Sequence, residues 1–157
     1  MYKRVVVALD GSEVGEAIIP FIVEIAGPLD LEVILVRVCE TMPPTVFDGT
    51  QVVLEDPGLA RIDAEEYLAP LAAELRNRGI KVTTEVRRGQ PAEEIVKAAH
   101  DANADLIAMT THGRSGLGRL LFGSVAETVL RQSHLPVCLM RMTESDVARR
   151  VAERKSS

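Results

Sequence analysis

The sequence predicts an α/β fold in which a five-stranded parallel sheet carries helices on both faces. Short apolar runs rich in Val, Ile and Leu alternate along the chain with amphipathic stretches, and this alternation is typical of parallel strands joined by right-handed crossovers. The runs contain few polar residues, as expected of strands buried on both faces. The 157 residues are 46% hydrophobic and 26% charged, which is the balance of one soluble globular domain.

Nine segments carry the periodicity of a strand or a helix. The predicted strands are residues 4–9, 32–38, 80–86, 105–110 and 136–141, and the predicted helices are residues 13–26, 59–78, 91–102 and 124–132. The strand at 80–86 alternates between polar and apolar residues, so we expect it at an edge of the sheet with one wetter face. The third helix opens with Pro91 at its first position, where proline is favoured.

Serine, glycine and proline mark where the first two helices begin, bend and end. Ser12 is expected to cap the first helix, and Gly27, followed by a proline, is expected to end it. Pro20 should kink this helix or weaken one of its turns, and Pro70 should bend the second helix. Gly79 follows the second helix as the residue that closes it.

Two segments lie outside the alternating pattern. Residues 40–57 carry three prolines and an Asp-Gly pair, so we predict a loop that is long enough to be functional, and whether it closes over a ligand as a lid stays open. Residues 143–157 are polar and charged and form either a surface helix or a frayed tail. The domain is therefore placed at residues 1–142, with a polar C-terminal tail at 143–157.

Composition and charge disfavour several classes of partner. The net charge is −5, aromatic residues make up 3% and tryptophan is absent, so we expect no nucleic-acid partner, because such surfaces are usually basic or present stacking aromatics. No run approaches 18 apolar residues, so we expect no membrane span.

The cysteines and histidines predict neither a disulfide nor a metal site. Cys39 and Cys138 lie far apart in apolar runs, which favours buried free thiols in a reducing cytoplasm. The apolar run near the N-terminus is five residues long, too short for a signal peptide. His100, His112 and His134 form no metal-spaced pair with each other or with a cysteine.

The strongest functional signal is the stretch 110–124, which follows the fourth predicted strand. It contains four glycines and two arginines and no acidic residue, and it leads into a helix whose start reads Ser124-x-x-Glu127, the pattern of a capping box. A positive, glycine-rich loop that feeds a helix N-terminus suits a phosphate group. The alternative is that the glycines only make turns and that Ser124 only caps its helix.

Other nucleotide and catalytic motifs are missing from the sequence. Neither GxxxxGK[ST] nor GxGxxG occurs, which disfavours a P-loop NTPase and an ordinary NAD enzyme. No serine lies in a GxSxG elbow, and no catalytic residue is assigned. Asp10 either caps the turn into the first helix together with Ser12, or binds a ribose, an adenine or a magnesium ion near phosphates. His112 is either a loop histidine or a general base.

Two stretches resemble the universal stress protein family, and the resemblance extends over about residues 2–141. Residues 3–12 (KRVVVALDGS) are similar to the first strand and turn of the family, and residues 109–127 are similar to its signature loop. The ATP-binding branch carries G-x2-G-x9-G-[ST]. Gly113 and the Gly-Ser pair at 123–124 fit the last two elements, whereas Thr110 stands where the first glycine is expected.

The resemblance implies a Rossmann-like three-layer sandwich with strand order 3-2-1-4-5 and a homodimer paired through the strand at 136–141. It implies adenine at the ends of the first two strands, with candidate contacts Ala8, Leu9, Asp10 and Val38. The implied ribose and phosphate contacts are Met109, Thr110, His112, Gly113, Gly123, Ser124 and Val125, with Arg114 as a weaker candidate beside the phosphates.

The function implied by the resemblance is that of an ATP-binding, dimeric stress sensor or regulator, with or without Mg²⁺. Hydrolysis is expected to be slow at most, because no residue is an obvious base for water and no lysine lies in the signature loop. AMP or cAMP in place of ATP stays open. The alternatives are a protein-interaction module of the same fold that binds no nucleotide, and a weak ATPase or phosphotransferase.

Overall fold

The computed structural model describes residues 1–41, 45–47, 49–52, 56–112 and 123–156. The strands are β1 (Arg4–Leu9), β2 (Glu32–Glu40), β3 (Thr45–Phe47), β4 (Thr50–Val52), β5 (Val82–Gly89), β6 (Leu106–His112) and β7 (Val137–Met142). The helices are α1 (Ile18–Ala26), α2 (Pro57–Asn77), α3 (Pro91–Asp101), α4 (Ser124–Gln132) and α5 (Glu144–Ser156), and a 3₁₀ turn (Gly15–Ala17) precedes α1.

Five strands form one parallel sheet in the order β5-β2-β1-β6-β7. In chain order these are the third, second, first, fourth and fifth strands of the sheet, so the predicted order 3-2-1-4-5 is confirmed. β5 lies at an edge, as predicted. Thr83 and Thr84 are both exposed, and because successive residues of a strand point to opposite faces, the exposure is not confined to the one wetter face that was expected.

The two faces of the sheet bury separate cores because successive side chains of β1 point in opposite directions. Val5 and Val7 pack with apolar residues of α1 and α2 on one face, and Val6 packs with apolar residues of α3 and α4 on the other. All three valines are completely buried, and each such burial stabilises the fold by about 1.5–3 kcal/mol. The predicted three layers are therefore confirmed.

The helix predicted at 13–26 begins later than expected. Residues 15–17 form the 3₁₀ turn, and α1 begins only at Ile18. Pro20 therefore lies in the first turn of α1, where a missing N–H is tolerated, and the predicted kink in the middle of a longer helix does not apply. The Ser12 hydroxyl accepts a hydrogen bond from the Gly15 amide at 3.0 Å, so Ser12 caps the 3₁₀ turn rather than α1.

Helix α2 has the predicted limits to within two residues. Asp56 is its N-cap and accepts a hydrogen bond from the Gly58 amide at 2.8 Å, and Gly79 follows the helix with φ of +81°, as a closing glycine should. Pro70 lies within α2, and the bend expected there stays a prediction.

The segment predicted as the loop 40–57 contains regular structure. β2 continues to Glu40, and β3 pairs with β4 as an antiparallel hairpin. Gly49, between these two strands, has φ of +77°, which an Asp-Gly pair in a hairpin turn favours.

The polar segment after β7 forms a helix, so of the two alternatives for residues 143–157 the surface helix is the one observed. The Thr143 hydroxyl accepts a hydrogen bond from the Asp146 amide, and Asp146 accepts one from the Thr143 amide. This reciprocal arrangement is a capping box. The hydrogen bonds from the Thr143 hydroxyl and amide lower the pKa of Asp146 below its usual value. Among the described residues no helix is both long and apolar enough to cross a membrane.

Candidate functional site

A cleft of about 600 Å³ lies at the carboxyl ends of β1, β2 and β6. The chain proceeds from β1 outward to β2 and β5 and then returns to add β6 and β7 on the other side of β1. The strand order therefore reverses between β1 and β6, and parallel α/β sheets bind their ligands at such a point. We call this space the switch-point cleft, and its volume is in the range of small-molecule sites.

The switch-point cleft gathers seven of the predicted site residues. They are Ala8, Leu9, Asp10, Val38, Met109, Thr110 and Val125. Gly123 and Ser124 lie next to Val125 at the start of α4 but do not themselves line the described part of the cleft. His112 is the last residue of β6, and Gly113 and Arg114 lie outside the described residues.

Asp10 organises the turn that forms one wall of the cleft. Its Oδ1 accepts hydrogen bonds from the amide of Ser12 at 2.9 Å and from the hydroxyl of Ser12 at 2.5 Å. A Cβ on Gly15 would lie 2.5 Å from the same oxygen, so a side chain at residue 15 would displace the carboxylate. The capping role considered for Asp10 is thus present, and it engages one of the two carboxylate oxygens.

Thr110 ties β6 to the same turn. Its hydroxyl donates a hydrogen bond to the carbonyl oxygen of Gly15 at 3.1 Å. The hydroxyl is therefore bonded to protein. The bond also holds the 3₁₀ turn against the end of β6, which fixes the width of the switch-point cleft between Asp10 and Thr110.

The start of α4 differs from the predicted capping box. Gly123 is the N-cap, and no side chain caps the helix, so Ser124 is the first helical residue and not the cap. The Gly123 amide donates to the Thr111 hydroxyl at 3.1 Å, and Glu127 accepts a hydrogen bond from Arg131 at 2.8 Å instead of turning back to the N-terminus. Thr111, buried behind the helix start, thus engages one of the amides expected to hold phosphate.

The next amides of α4 are those of Ser124 and Val125. Backbone N–H groups in the first turn of a helix have no partner within the helix, and they carry the positive end of the helix dipole. Ser124 is exposed. The amides of Ser124 and Val125 and the Ser124 hydroxyl can therefore donate hydrogen bonds to an anion at the helix start. The Gly123 amide is already bonded to Thr111.

The cleft also contains residues that sequence reasoning missed. They are Gly11, Gly15, Val36, Arg37, Cys39, Glu40, Ala60, Asp63, Ala64, Tyr67, Pro91 and Ile95. Cys39 and Glu40 are the last two residues of β2. The predicted strand ended at residue 38, so these two residues were not expected in the cleft. The residues of α2 and α3 come to the cleft because the crossover connections place these helices against the sheet. No local pattern in the sequence marks them as cleft residues.

Arg37 is a positively charged side chain in the described lining. Its Nη1 donates to the carbonyl of Val38 at 2.8 Å, and its guanidinium would lie 3.4 Å from a Cβ placed on Gly11. Gly11 has φ of +85°, a conformation that favours glycine. The guanidinium therefore packs directly over the turn that follows β1.

The described lining of the cleft is acidic on balance. Asp10, Glu40 and Asp63 contribute carboxylates, against the single guanidinium of Arg37. Arg37 is therefore the positive charge that the described lining offers an anionic ligand. Among the described residues no group of three or more His, Cys, Asp or Glu is arranged to hold a metal ion.

The two cysteines lie apart from each other. Both are half-buried free thiols, and Cys39 lies in the cleft lining, where its Sγ is 3.5 Å from the carbonyl oxygen of Ala60. Burial raises the pKa of the Cys138 thiol, so this group is neutral and poorly nucleophilic near neutral pH.

Residues 1–141 match the universal stress protein family. The universal stress protein MJ0531 of Methanocaldococcus jannaschii is 33% identical over 148 residues, which cover 93% of this chain and 86% of the relative. The universal stress protein MJ0577 of the same organism is 30% identical over 159 residues, which cover 92% of this chain and 98% of the relative.

Solved structures share the fold. The structure of MJ0577 superposes with a TM-score of 0.69 at 28% identity, and the match covers 90% of this chain and 97% of that one. A universal stress protein in complex with cAMP gives 0.65 at 21% identity, with coverage of 89% and 97%. The universal stress protein of Archaeoglobus fulgidus in complex with dAMP gives 0.63 at 23% identity, with coverage of 88% and 97%.

Proposed function

The chain belongs to the universal stress protein family, and on that premise we propose that it binds an adenine nucleotide in the switch-point cleft. The observation that carries the proposal is the position of this cleft. It lies where the strand order reverses, and it gathers residues from both ends of the sequence that were predicted to contact one ligand. Relatives of the same fold were crystallised with cAMP and with dAMP.

The lining of the cleft suits the parts of an adenylate. Val36, Val38, Ile95 and Met109 provide an apolar surface of the kind that accommodates a purine ring. The described residues make no hydrogen bond to the second carboxylate oxygen of Asp10, and we assign this oxygen to a ribose hydroxyl. The phosphates are assigned to the start of α4, where helix amides and the dipole favour an anion.

We propose ATP as the physiological ligand, with Mg²⁺ offsetting the acidic lining of the cleft when it is present. Calorimetric titration with ATP, ADP, AMP and cAMP, each with and without Mg²⁺, tests the assignment. The expected result for ATP is a dissociation constant of about micromolar order, which corresponds to about 8 kcal/mol of binding free energy. Tighter binding of AMP or cAMP would change the ligand but keep the site, and no heat with any of the four would refute the proposal.

Gly123→Val tests where the phosphates bind. Among the described residues, the atom nearest to a Cβ at this residue is the Thr111 hydroxyl oxygen at 3.7 Å, which is an ordinary contact, while the added methyl groups obstruct the approach to α4. We expect the variant to keep its melting temperature within a few degrees and to lose nucleotide binding. Gln132→Ala, at the other end of α4, is the matched control and is expected to bind as the parent does.

Turnover is proposed to be slow at most, in keeping with a sensor or regulator that responds to its bound nucleotide. Asp10→Ala and His112→Ala test for a catalytic role, and any hydrolysis that survives both substitutions excludes these side chains as the general base. We place the protein in the cytoplasm, a proposal supported by its two free thiols.

A second candidate function, a protein-interaction module without nucleotide, is favoured by one observation. The Gly123 amide is already bonded to Thr111, so one donor of the expected phosphate site is engaged by protein. Mass spectrometry of the purified protein separates the two functions. Copurified adenylate supports the first, and a ligand-free preparation that also gives no calorimetric signal supports the second.

We also propose a homodimer formed through β7. This strand lies at an edge of the sheet, and its apolar residues from Val137 to Met140 are only half-buried, which leaves an edge that pairing would cover. Sedimentation velocity is expected to show a dimer that Leu139→Lys shifts toward monomer. Thr83→Lys, on the opposite edge strand, is the control, and an equal effect of both variants would contradict pairing through β7.

A further inference from the structure

The C-terminal helix makes a direct contact with the turn beside the switch-point cleft. Arg150 of α5 donates a hydrogen bond from Nη1 to the carbonyl oxygen of Ala17 at 3.1 Å, across 133 residues of sequence. Ala17 is buried and joins the 3₁₀ turn to α1. The match to the family ends at residue 141, so this contact is made by a segment that lies beyond it.

A continuous set of hydrogen bonds leads from this contact to the cleft. The Ala17 amide donates to the carbonyl of Val14 at 3.0 Å, and the Glu16 amide donates to that of Ser12 at 3.3 Å. The Gly15 amide donates to the Ser12 hydroxyl, which in turn donates to Asp10. Residues 12–17 therefore form one turn joined by internal hydrogen bonds. Asp10 is bonded to the end of this turn that lies at the cleft, and Arg150 is bonded to its other end.

The opposite side of the turn is held by Thr110, whose hydroxyl donates to the Gly15 carbonyl. Two carbonyl groups of the turn thus accept hydrogen bonds from outside it. The Gly15 carbonyl accepts one from Thr110 of β6, and the Ala17 carbonyl accepts one from Arg150 of α5. Gly15 and Ala17 of the turn are buried, and the hydrogen bonds at their carbonyl groups add to the packing that positions the turn.

We propose that Arg150 is a positioning residue for the nucleotide site, and that docking of α5 and nucleotide binding stabilise each other. This inference rests on the proposed function. When Arg150 holds the turn, Asp10 and Gly15 keep the geometry that accepts the ligand. By linkage, a ligand that contacts the turn must favour the docked helix to the same degree, so a partner that captured α5 would lower nucleotide affinity.

The neighbouring arginine supplies a matched control. Arg149 donates to Asp146 at 3.0 Å within α5, and its side chain is largely exposed. Arg149→Ala and Arg150→Ala remove the same charge from adjacent residues of one helix, and only the second removes the contact with Ala17. Arg150→Lys keeps one donor and the charge, and it serves as the conservative variant.

Two measurements on the full chain test the inference. Hydrogen exchange of residues 12–17, without nucleotide, is expected to be at least fivefold faster in Arg150→Ala than in the parent, and unchanged in Arg149→Ala. Calorimetry with ATP and AMP is expected to show affinity at least fivefold lower in Arg150→Ala, near the lower end of typical coupling, with partial recovery in Arg150→Lys. Melting curves establish that both measurements are made on folded protein.

The results of these experiments distinguish failure of the inference about Arg150 from failure of the proposed function. If the parent binds nucleotide and the two alanine variants bind it within twofold of each other, the inference is refuted and the proposed function stands. If the parent binds no nucleotide, the proposed function and the coupling both fail, and the exchange data alone decide whether Arg150 positions the turn. Equal exchange in all variants refutes that role as well.

Discussion

At the scale of single residues, the candidate site contains a close approach between a glycine and a carboxylate. Gly15 is the clearest case, because an added Cβ would lie 2.5 Å from Asp10 Oδ1. The same carboxylate oxygen holds Ser12 through two hydrogen bonds. A side chain at residue 15 therefore moves the carboxylate of Asp10, a residue of the candidate site.

Gly15→Ala is expected to displace the Asp10 carboxylate from its hydrogen bonds with Ser12, to destabilise the protein by about 1 kcal/mol, and to weaken nucleotide binding. Gly27→Ala is the control, since nothing lies within 4 Å of the added Cβ, and it is expected to change stability by less than about 0.5 kcal/mol. Urea unfolding and calorimetry measure the two effects, and equal stability of both variants would contradict the close contact at residue 15.

Ion pairs of Arg87 connect β5 to both ends of α3. Arg87 donates to Glu94 at 2.9 Å and also pairs with Glu85 and Asp101. Its burial opposes the charge, but the hydrogen bonds with Glu94 and Glu85 outweigh this effect and raise the pKa of Arg87. The hydrogen bond from Arg87 lowers the pKa of Glu94.

Because the pKa of Glu94 is lower in the folded than in the unfolded chain, its charge stabilises the fold above the unfolded pKa of about 4.3. This contribution is lost as the pH falls through the folded pKa. Glu94→Gln is expected to cost about 1 kcal/mol at pH 7, and the difference from the parent should vanish in strong acid. Urea unfolding from pH 7 to pH 2.5 tests this, with the exposed Glu93→Gln as the control, and a difference that persists at the lowest pH would exclude the ion pair as its cause.

At the scale of elements, the strands β2 and β5 extend beyond their runs of apolar residues. β2 extends to Glu40 and β5 to Gly89, and the two pair along this whole length, with Cys39 opposite Arg88. The ladder continues because the backbone hydrogen bonds of a pair do not depend on apolar side chains. These extra residues place Cys39 and Glu40 in the switch-point cleft.

The start of α2 depends on one side chain. Asp56 caps this helix through the Gly58 amide, and Asp56→Ala is expected to lower the free energy of unfolding by about 1 kcal/mol, whereas Asp56→Asn should cost a few tenths. Chemical denaturation of the three proteins measures the difference. An alanine variant as stable as the asparagine variant would mean that the cap contributes nothing.

At the scale of the whole molecule, the site joins segments that are distant in the sequence. The cleft brings the end of β1 together with β6, α2 and α3, so a ligand bound there bridges both layers of helices. Binding should therefore stabilise the whole domain and not one part of it.

Nucleotide at about 100 times its dissociation constant is expected to raise the free energy of unfolding by about 2.7 kcal/mol, since only the folded chain forms the site. The gain should increase with the logarithm of nucleotide concentration in thermal unfolding followed by circular dichroism. Gly123→Val provides the control and should show no gain, and a gain of the same size in that variant would indicate that the nucleotide binds elsewhere.

The fold class and the main strands could be predicted from the amino-acid pattern, and the residues proposed for the site stay a prediction. Apolar runs such as that of β1 can only be buried on both faces, and the ends of parallel strands must meet at one edge, so Asp10 and Thr110 could be expected together. The start of α1, the N-cap of α4 and the α5 contact depend on tertiary structure. The hairpin β3–β4 pairs locally about Gly49. At the start of α4 and in the α5 contact, a hydrogen bond between distant residues selected the partner: Thr111 accepts from the Gly123 amide, and Arg150 donates to the Ala17 carbonyl. Such partners are separated by many residues, and no local pattern shows which of them will meet.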